Sequence, residues 1–416
     1  MFELATAGRI VFGPGAIASL PERVATMPAP AGSAAVGSGV VLLFSGRDSR
    51  HSRPIGAALE ARGFSVVTLA VEGEPSVERV RGWVGVARAT HAAVVVSIGG
   101  GSTIDAGKAT AILAAHPGDP LDYLEVVGLG RALDHPGLPF VAVPTTAGTG
   151  AEVTRNAVLT VDGSGSSSGI KASLRSAFML PALAVVDPDL LGSLPAQVIA
   201  HSGLDALSQL VEPWLSVRAN PVSDALARDG IRRSARALGE AFRQVPRQGL
   251  REPLREPLKN RPDLREELAL ASLFGGLCLA NAGLGAVHGF AAPAGGMIGA
   301  PHGAICAALL PHVLAVNLRA LRERPPSPGR DATLARFDEL ATLVTGAPAG
   351  SLTADEGVAW IASLCRQLDA PGLGRLGLGP DRIPELVAKA RDASSMKGNP
   401  LPLTDAELTE IATLAL

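Results

Sequence analysis

Short apolar runs alternate with helical patterns along the first half of the chain. Val40 to Phe44, Ser65 to Leu69, Ala92 to Ile98 and Leu138 to Val143 are rich in β-branched residues, as strands are. Ala92 to Ile98 is almost continuously apolar, which predicts a strand buried on both faces. Ile55 to Arg62 and Arg79 to Thr90 lie between these runs and have helical composition. Strand, helix, strand in this order predicts parallel βαβ units and a doubly wound sheet. Beyond Asp187-Pro188 the strand signals fade, and long helical patterns follow at Ala196 to Trp214 and Pro221 to Phe242. The expectation is a Rossmann-like α/β domain over residues 1–190 and an all-helical domain over 191–416.

Two segments fit neither pattern. Gln244 to Asp263 is polar and carries a tandem Arg-Glu-Pro-Leu at 251–254 and 255–258, which predicts a solvated loop. Residues 162–169, DGSGSSSG, predict a flexible loop because Gly and Ser offer little to pack. Leu268 to Leu318 contains no Asp, Glu, Lys or Arg and is long enough for two membrane spans. Its His, Asn, Pro and Gly residues break the apolar runs, so a buried glycine-rich helical core is the favoured reading.

The chain has 37 basic and 39 acidic side chains and a formal net charge of −2, with no basic stripe of the kind that nucleic acid or an anionic membrane requires. Cys278, Cys306 and Cys365 are widely spaced and form no CxxC pattern, which argues against a disulfide framework or a zinc knuckle and for a reducing compartment. No basic segment followed by an apolar core opens the sequence, so a cytoplasmic location is expected.

Two loops carry candidate binding chemistry. The run ending at Ile98 passes directly into Gly99-Gly100-Gly101-Ser102-Thr103-Ile104-Asp105-Ala106-Gly107-Lys108 and then the apolar stretch Ala109 to Ala115. Glycines at a strand–helix turn let a pyrophosphate approach the backbone, and the helix N-terminus supplies free N–H groups. The same residues would also suit a tight turn, with Asp105 favouring the first helical turn. Val143 leads into Pro144-Thr145-Thr146-Ala147-Gly148-Thr149-Gly150, which puts hydroxyls and glycines at the carboxyl end of another strand, where open α/β sheets bind ligands. A hydroxyl-rich turn is the alternative there.

His288 in GAVHG and His302 in PHG are flanked by small residues inside the charge-free stretch. Two such histidines, with a carboxylate to offset charge, suit a divalent metal. Asp205 is charged within an apolar helical pattern and is the natural supplier, although Gly203 just before it leaves a helix N-cap open.

Taken together, these motifs resemble the iron-containing, or group III, alcohol dehydrogenases nearly end to end. The matching stretches are GRIVFGPGA at 8–16, GGGSTIDAGK at 99–108, DYLEVVG at 122–128, PTTAGTGAEVT at 144–154 and DPDLLGSLP at 187–195. They continue with SGLDALSQLVEPW at 202–214, in part GLGAVHG at 283–289, and PHGAICAALLP at 301–311. The resemblance implies a dehydroquinate synthase-like architecture, with metal, nicotinamide and substrate in a cleft between two domains. It also implies an NAD(P)-linked enzyme for small alcohols, aldehydes or ketones that assembles as a homodimer or larger homo-oligomer. Gly99, Gly100, Gly101, Ser102 and Asp105 would face the dinucleotide, Thr145, Thr146 and Thr149 would bind the cofactor, and Lys171 would contact the nicotinamide ribose. Asp205, His288 and His302 fall on metal-ligand positions, the ion being iron or zinc.

Three departures from the family pattern follow. The fourth ligand, a histidine four residues after the aspartate, is Gln209 here, a weaker amide donor on the same helix face. Ala292 replaces a histidine found near the substrate in many members. The aspartate that binds the ribose 2′-hydroxyl in NAD-preferring members is absent from Ser45-Gly46-Arg47, and Arg47 could pair with a 2′-phosphate, so both NAD and NADP are expected. Two alternatives stand beside this reading: a metal-independent reductase such as a maleylacetate reductase, which typically replaces the aspartate, and a non-catalytic dinucleotide-binding protein.

Overall fold

A computed structural model describes residues 1–27, 39–125, 127–161, 170–243 and 256–416. The glycine–serine loop at 162–169, Val126 of the 122–128 motif and the first repeat of the tandem motif lie outside these residues. The chain divides into two compact units, one of residues 5–146 and 150–191, the other of 1–4, 147–149 and 192–416. The short stretch Ala147–Thr149, read from sequence as part of the α/β half, thus packs with the helical unit. Gly148 lies so close to Ser202 that a Cβ would come within 2.8 Å of the serine Cβ.

In the α/β unit the strands are β1 Ile10–Phe12, β2 Val40–Gly46, β3 Ser65–Val71, β4 Ala92–Gly99, β5 Phe140–Pro144, β6 Asn156–Val161, β7 Ile170–Arg175 and β8 Leu183–Val186. Its helices are α1 Leu20–Ala25, α2 Ser52–Glu60, α3 Val77–Ala89 and α4 Gly101–Ala115. Six strands form one parallel sheet in the order β1-β8-β5-β4-β2-β3. Alternate residues feed two cores. Leu42, Phe44, Val95 and Ala142 join α3 and α4 on one face, while Val41, Leu43, Val94, Val96 and Val143 join α1 and α2 on the other. Burial on both faces explains why the strands read as apolar runs without alternation.

From β2 the chain moves outward to β3, then returns to lay β4 on the other side of β2 and continues through β5. The order therefore reverses between β2 and β4, and the carboxyl ends of these two strands are Gly46 and Gly99. Ligands of open α/β sheets bind at such a reversal. β6 and β7 form a separate antiparallel pair. Neither they nor β1 and β8 stood out in the sequence. β1 gains its place through Asp187, whose carboxylate accepts the N–H groups of Gly15 and Ile17, both at 3.1 Å, and so ties the 8–16 motif to the 187–195 motif.

The helical unit contains α5 Ala196–Leu215, α6 Pro221–Arg243, α7 Pro262–Ala282, α8 Ala286–Ile298, α9 His302–Glu323, α10 Arg330–Thr345, α11 Ala354–Gln367, α12 Ile383–Arg391 and α13 Asp405–Leu414. α5 packs against α6, α7 and α9. The charge-free stretch becomes most of α7, all of α8 and most of α9. Among the described residues α9 is the one single helix apolar and long enough to cross a membrane, but 78% of its most apolar window is buried within the protein. Leu258 at the end of the tandem motif is fully buried, so the expectation of a wholly solvated loop fails there.

Gly107 shows how closely α4 approaches the sheet: a Cβ there would lie 2.1 Å from Ser97 Oγ and 3.0 Å from Phe140 Cε2. Replacing a mid-helix glycine by alanine ordinarily gains about 1 kcal/mol, but overpacking costs typically about 1–3 kcal/mol. With two contacts this short the clash should win. Gly107→Ala is expected to lower the midpoint of denaturant unfolding, and an unchanged or raised midpoint would show that the helix can shift away.

Candidate metal and cofactor sites

α5 sets out the helical unit's polar side chains like marks on a ruler. Asp205, Gln209 and Glu212 follow at spacings that return them to one face. All three are at most 5% exposed. Asp205 is in the middle of the helix, which removes the N-cap reading. A buried carboxylate at an interior helical position is costly unless something opposite answers its charge.

The answering groups come from the first turns of α8 and α9. His288 Nε2 lies 3.3 Å from Asp205 Oδ1, and His302 Nε2 lies 3.8 Å from the same oxygen. Asp205 Oδ1 nevertheless makes no hydrogen bond, and neither does Gln209 Oε1. A fourth group, not expected among the ligands, completes the cluster. Cys306 Sγ stands 3.8 Å from His288 Nε2 and 3.6 Å from His302 Nε2. Asp205, His288, His302 and Cys306 thus each offer one ligand atom, all within 4.8 Å of one another. A buried, unpartnered carboxylate oxygen facing two imidazole nitrogens is what a divalent cation needs.

Glu212 supports this group. Its Oε2 accepts from His288 Nδ1 at 2.5 Å and its Oε1 accepts the Val287 N–H at 2.7 Å. The first bond leaves the Nε2 lone pair facing the cluster, the usual role of a carboxylate behind a metal-binding histidine. Asn399 Oδ1 accepts the Ala286 N–H, and Asn317 hydrogen-bonds Asn399 in return. Two otherwise orphaned N–H groups of α8 are thereby satisfied. Gly285 makes room for both acceptors, since a Cβ there would be 2.9 Å from Glu212 Oε1 and 3.1 Å from Asn399 Oδ1. Gly303 is needed for a similar reason, its Cβ position being only 2.4 Å from the His201 carbonyl oxygen.

Charges within the cluster reinforce one another. Burial pushes the Asp205 carboxyl up, but His302 and His288 outweigh it and hold the group below the ordinary carboxylate value. Burial also works against charge on His288, yet Cys306, Glu212 and Asp205 raise it well above the usual imidazole range. His302 is raised likewise, against its own burial, by Cys306 and Asp205. Such a pocket favours positive charge, whether carried by protons or by a metal ion that displaces them.

In the α/β unit the two predicted loops meet at the strand reversal. Gly100 precedes α4 and is in extended conformation. The Thr145 N–H donates to the Gly99 carbonyl at 2.9 Å, and a Cβ on Gly100 would lie 3.4 Å from Thr146 Oγ1. Gly46 closes the group, its Cβ position 3.6 Å from Thr103 Oγ1. Ser102 is partly exposed at the start of α4, and Arg47 is exposed beyond β2. Three more of the predicted residues have a partner or a place elsewhere in the protein. Asp105 Oδ2 accepts the Val158 N–H at 3.0 Å, which gives it a structural task joining α4 to β6. Lys171 lies on β7 and pairs with Glu74 at 2.5 Å. Thr149 belongs with the helical unit.

Lys108 is the unforeseen residue of this unit. Fully buried, it donates to the carbonyls of Ala151, Thr154 and Asn156 at 2.7–3.0 Å and so holds the end of the threonine loop. Burial draws its ammonium down to about 8, against the pull of Asp105 and Glu152, and burial also pushes the Glu152 carboxyl up to about 7.

The chain is similar to known proteins over nearly its whole length. The family model described as iron-containing alcohol dehydrogenase matches residues 7–188, and the Fe-containing alcohol dehydrogenase C-terminal model matches 199–416. The 1,3-propanediol dehydrogenase of Citrobacter freundii is 33% identical over 417 residues, covering 99% of this chain and 98% of that protein. A crystal structure of 1,3-propanediol oxidoreductase superposes with a TM-score of 0.85 at 31% identity, covering all of both chains. Sulfoacetaldehyde reductase from Bifidobacterium kashiwanohense, solved in complex with NAD+, superposes at 0.80 with 26% identity, covering 100% of this chain and 98% of that one. The chain belongs to the iron-containing alcohol dehydrogenase family. It is a metal-dependent alcohol dehydrogenase, an oxidoreductase acting on CH–OH donors.

Glu212 orients His288 without belonging to the metal-facing set, so its conversion to an amide tests that role. Glu212→Gln is expected to weaken metal affinity roughly 10–100-fold, the usual cost of losing such a partner. Competition with a chromogenic chelator reads the change, and an unaltered affinity would contradict it.

Proposed function

We propose that the chain oxidises short primary alcohols or diols, and reduces the matching aldehydes, with NAD(H) as hydride carrier and NADP(H) tolerated. The unpartnered Asp205 Oδ1, facing two histidines in a buried pocket, carries the metal-dependent part of this reading. It also distinguishes the chain from metal-independent reductases, which typically lack the aspartate. The substrate class follows from the propanediol dehydrogenase relative, and the NAD(H) assignment follows from the relative solved with NAD+. Three free, buried cysteines suit a reducing compartment such as the cytoplasm.

When bound, a divalent ion supplies Lewis-acid polarisation of the substrate oxygen, and nicotinamide supplies the hydride acceptor. The protein's own part is to bind and orient. Asp205, His288 and His302 would hold the ion, and Glu212 keeps the His288 ring turned so that Nε2 faces inward. Gly99, Gly100 and Gly101, with the first N–H groups of α4, would receive the pyrophosphate without Cβ obstruction. Lys108 keeps the neighbouring threonine loop in place. Ala292 is exposed and offers no imidazole, so no proton relay runs through that position.

Chelation should abolish oxidation of 1,3-propanediol, and added divalent metal should restore it. Asp205→Ala is expected to lose both bound metal by elemental analysis and turnover; a metal-free variant that still turns over would defeat the assignment. Arg47→Ala should raise KM for NADP several-fold while leaving KM for NAD little changed. Equal effects on both cofactors would remove Arg47 from 2′-phosphate recognition.

A further inference from the structure

We propose that Cys306, as thiolate, is the fourth protein ligand of the metal ion and takes the corner vacated by the histidine that Gln209 replaces. The proposal rests on the metal-dependent reading above. It starts from register: α9 begins at His302, and Cys306 follows four residues later, one turn on and on the same face. Two adjacent donors of one helix thereby meet Asp205 of α5 and His288 of α8.

The distances suit one tetrahedral ion. Metal–nitrogen and metal–oxygen bonds near 2.1 Å and a metal–sulfur bond near 2.3 Å require ligand atoms about 3.4–3.6 Å apart. The observed separations are 3.3 and 3.8 Å from Asp205 Oδ1 to the two imidazole nitrogens, and 3.8 and 3.6 Å from Cys306 Sγ to the same nitrogens. Cys306 is fully buried, as is nearly all of Asp205, whose Oδ1 lacks any hydrogen bond. Cys278 and Cys365 lie elsewhere, on α7 and α11.

Gln209 is the competing donor. Its Oε1 is also buried without a hydrogen bond, but the side chain packs toward α7, with Oε1 3.7 Å from where a Gly275 Cβ would stand. A neutral amide oxygen is a hard, weak donor, whereas a thiolate binds a borderline ion such as zinc strongly. On coordination the S–H bond gives way to a sulfur–metal bond and the proton leaves to solvent. Asp, two His and Cys then make a mixed oxygen, nitrogen and sulfur set that suits zinc better than an all-oxygen and nitrogen set does.

Cobalt(II) loaded at one equivalent into the chelated full-length protein reports directly on sulfur ligation. The wild type and Gln209→Ala should both show an intense thiolate-to-cobalt charge-transfer band in the near ultraviolet. Cys306→Ser should lose that band while retaining cobalt by elemental analysis and its weaker visible bands. If Cys306→Ser does not fold, X-ray absorption of the zinc-loaded wild type should show one sulfur scatterer at about 2.3 Å. Stoichiometric cobalt without the band in the wild type, a band that survives Cys306→Ser, or zinc without a sulfur scatterer would overturn the proposal and leave the metal reading standing. A protein that takes up no cobalt and no zinc would overturn both.

Discussion

Much of the helical unit is organised around one awkward group, the Asp205 carboxylate buried mid-helix with an oxygen that no hydrogen bond reaches. Leaving a charge in that state is among the costlier things a fold can do. Its neighbours are arranged to meet that cost. α8 and α9 both begin at the pocket, so that His288 and His302 arrive with short backbone lead-ins, and glycines at 285 and 303 let those lead-ins press against Glu212 and the His201 carbonyl. Glu212, two turns further along the same face of α5, both fixes the histidine ring and caps the helix that carries it. Removing the requirement for Asp205 would remove the reason for most of these contacts.

The α/β unit meets a different constraint, that of opening backbone at two strand ends without losing the sheet. Gly99 to Gly101 and Thr145-Thr146 sit at the ends of adjacent strands, and the Thr145 N–H to Gly99 carbonyl bond joins the loops directly. Rigidity comes from behind. Lys108 collects the carbonyls of the 151–156 turn, and Asp105 reaches across to β6, so two charged residues of the glycine motif bind the scaffold.

What the sequence revealed depended on which physical signal each feature leaves. β2 to β5 were legible because burial on both faces makes a strand continuously apolar. β1 and β8 are only three and four residues long and hold their places through Asp187 and through each other, contacts that leave no periodicity. Asp205, His288 and His302 stood out because polar residues are rare in that region. Cys306 did not, because it reads as one more small apolar residue in a core helix, and its place beside His302 shows only once α9 meets α5 and α8. Glu212 was visible as a charge seven residues after Asp205, but only the approach of α8 shows what it faces.

The burial of α9 has a consequence for how the chain is made. α9 is as apolar as a membrane span, and it packs against α5, α8, α10, α11 and α13. Two of those partners are synthesised before it and three after. While the ribosome works through α10 to α13, one side of α9 has no permanent cover, and that interval is when an unfinished chain of this kind is most open to aggregation or capture by chaperones. His302 and Cys306 therefore emerge on the segment that most needs the rest of the protein to finish.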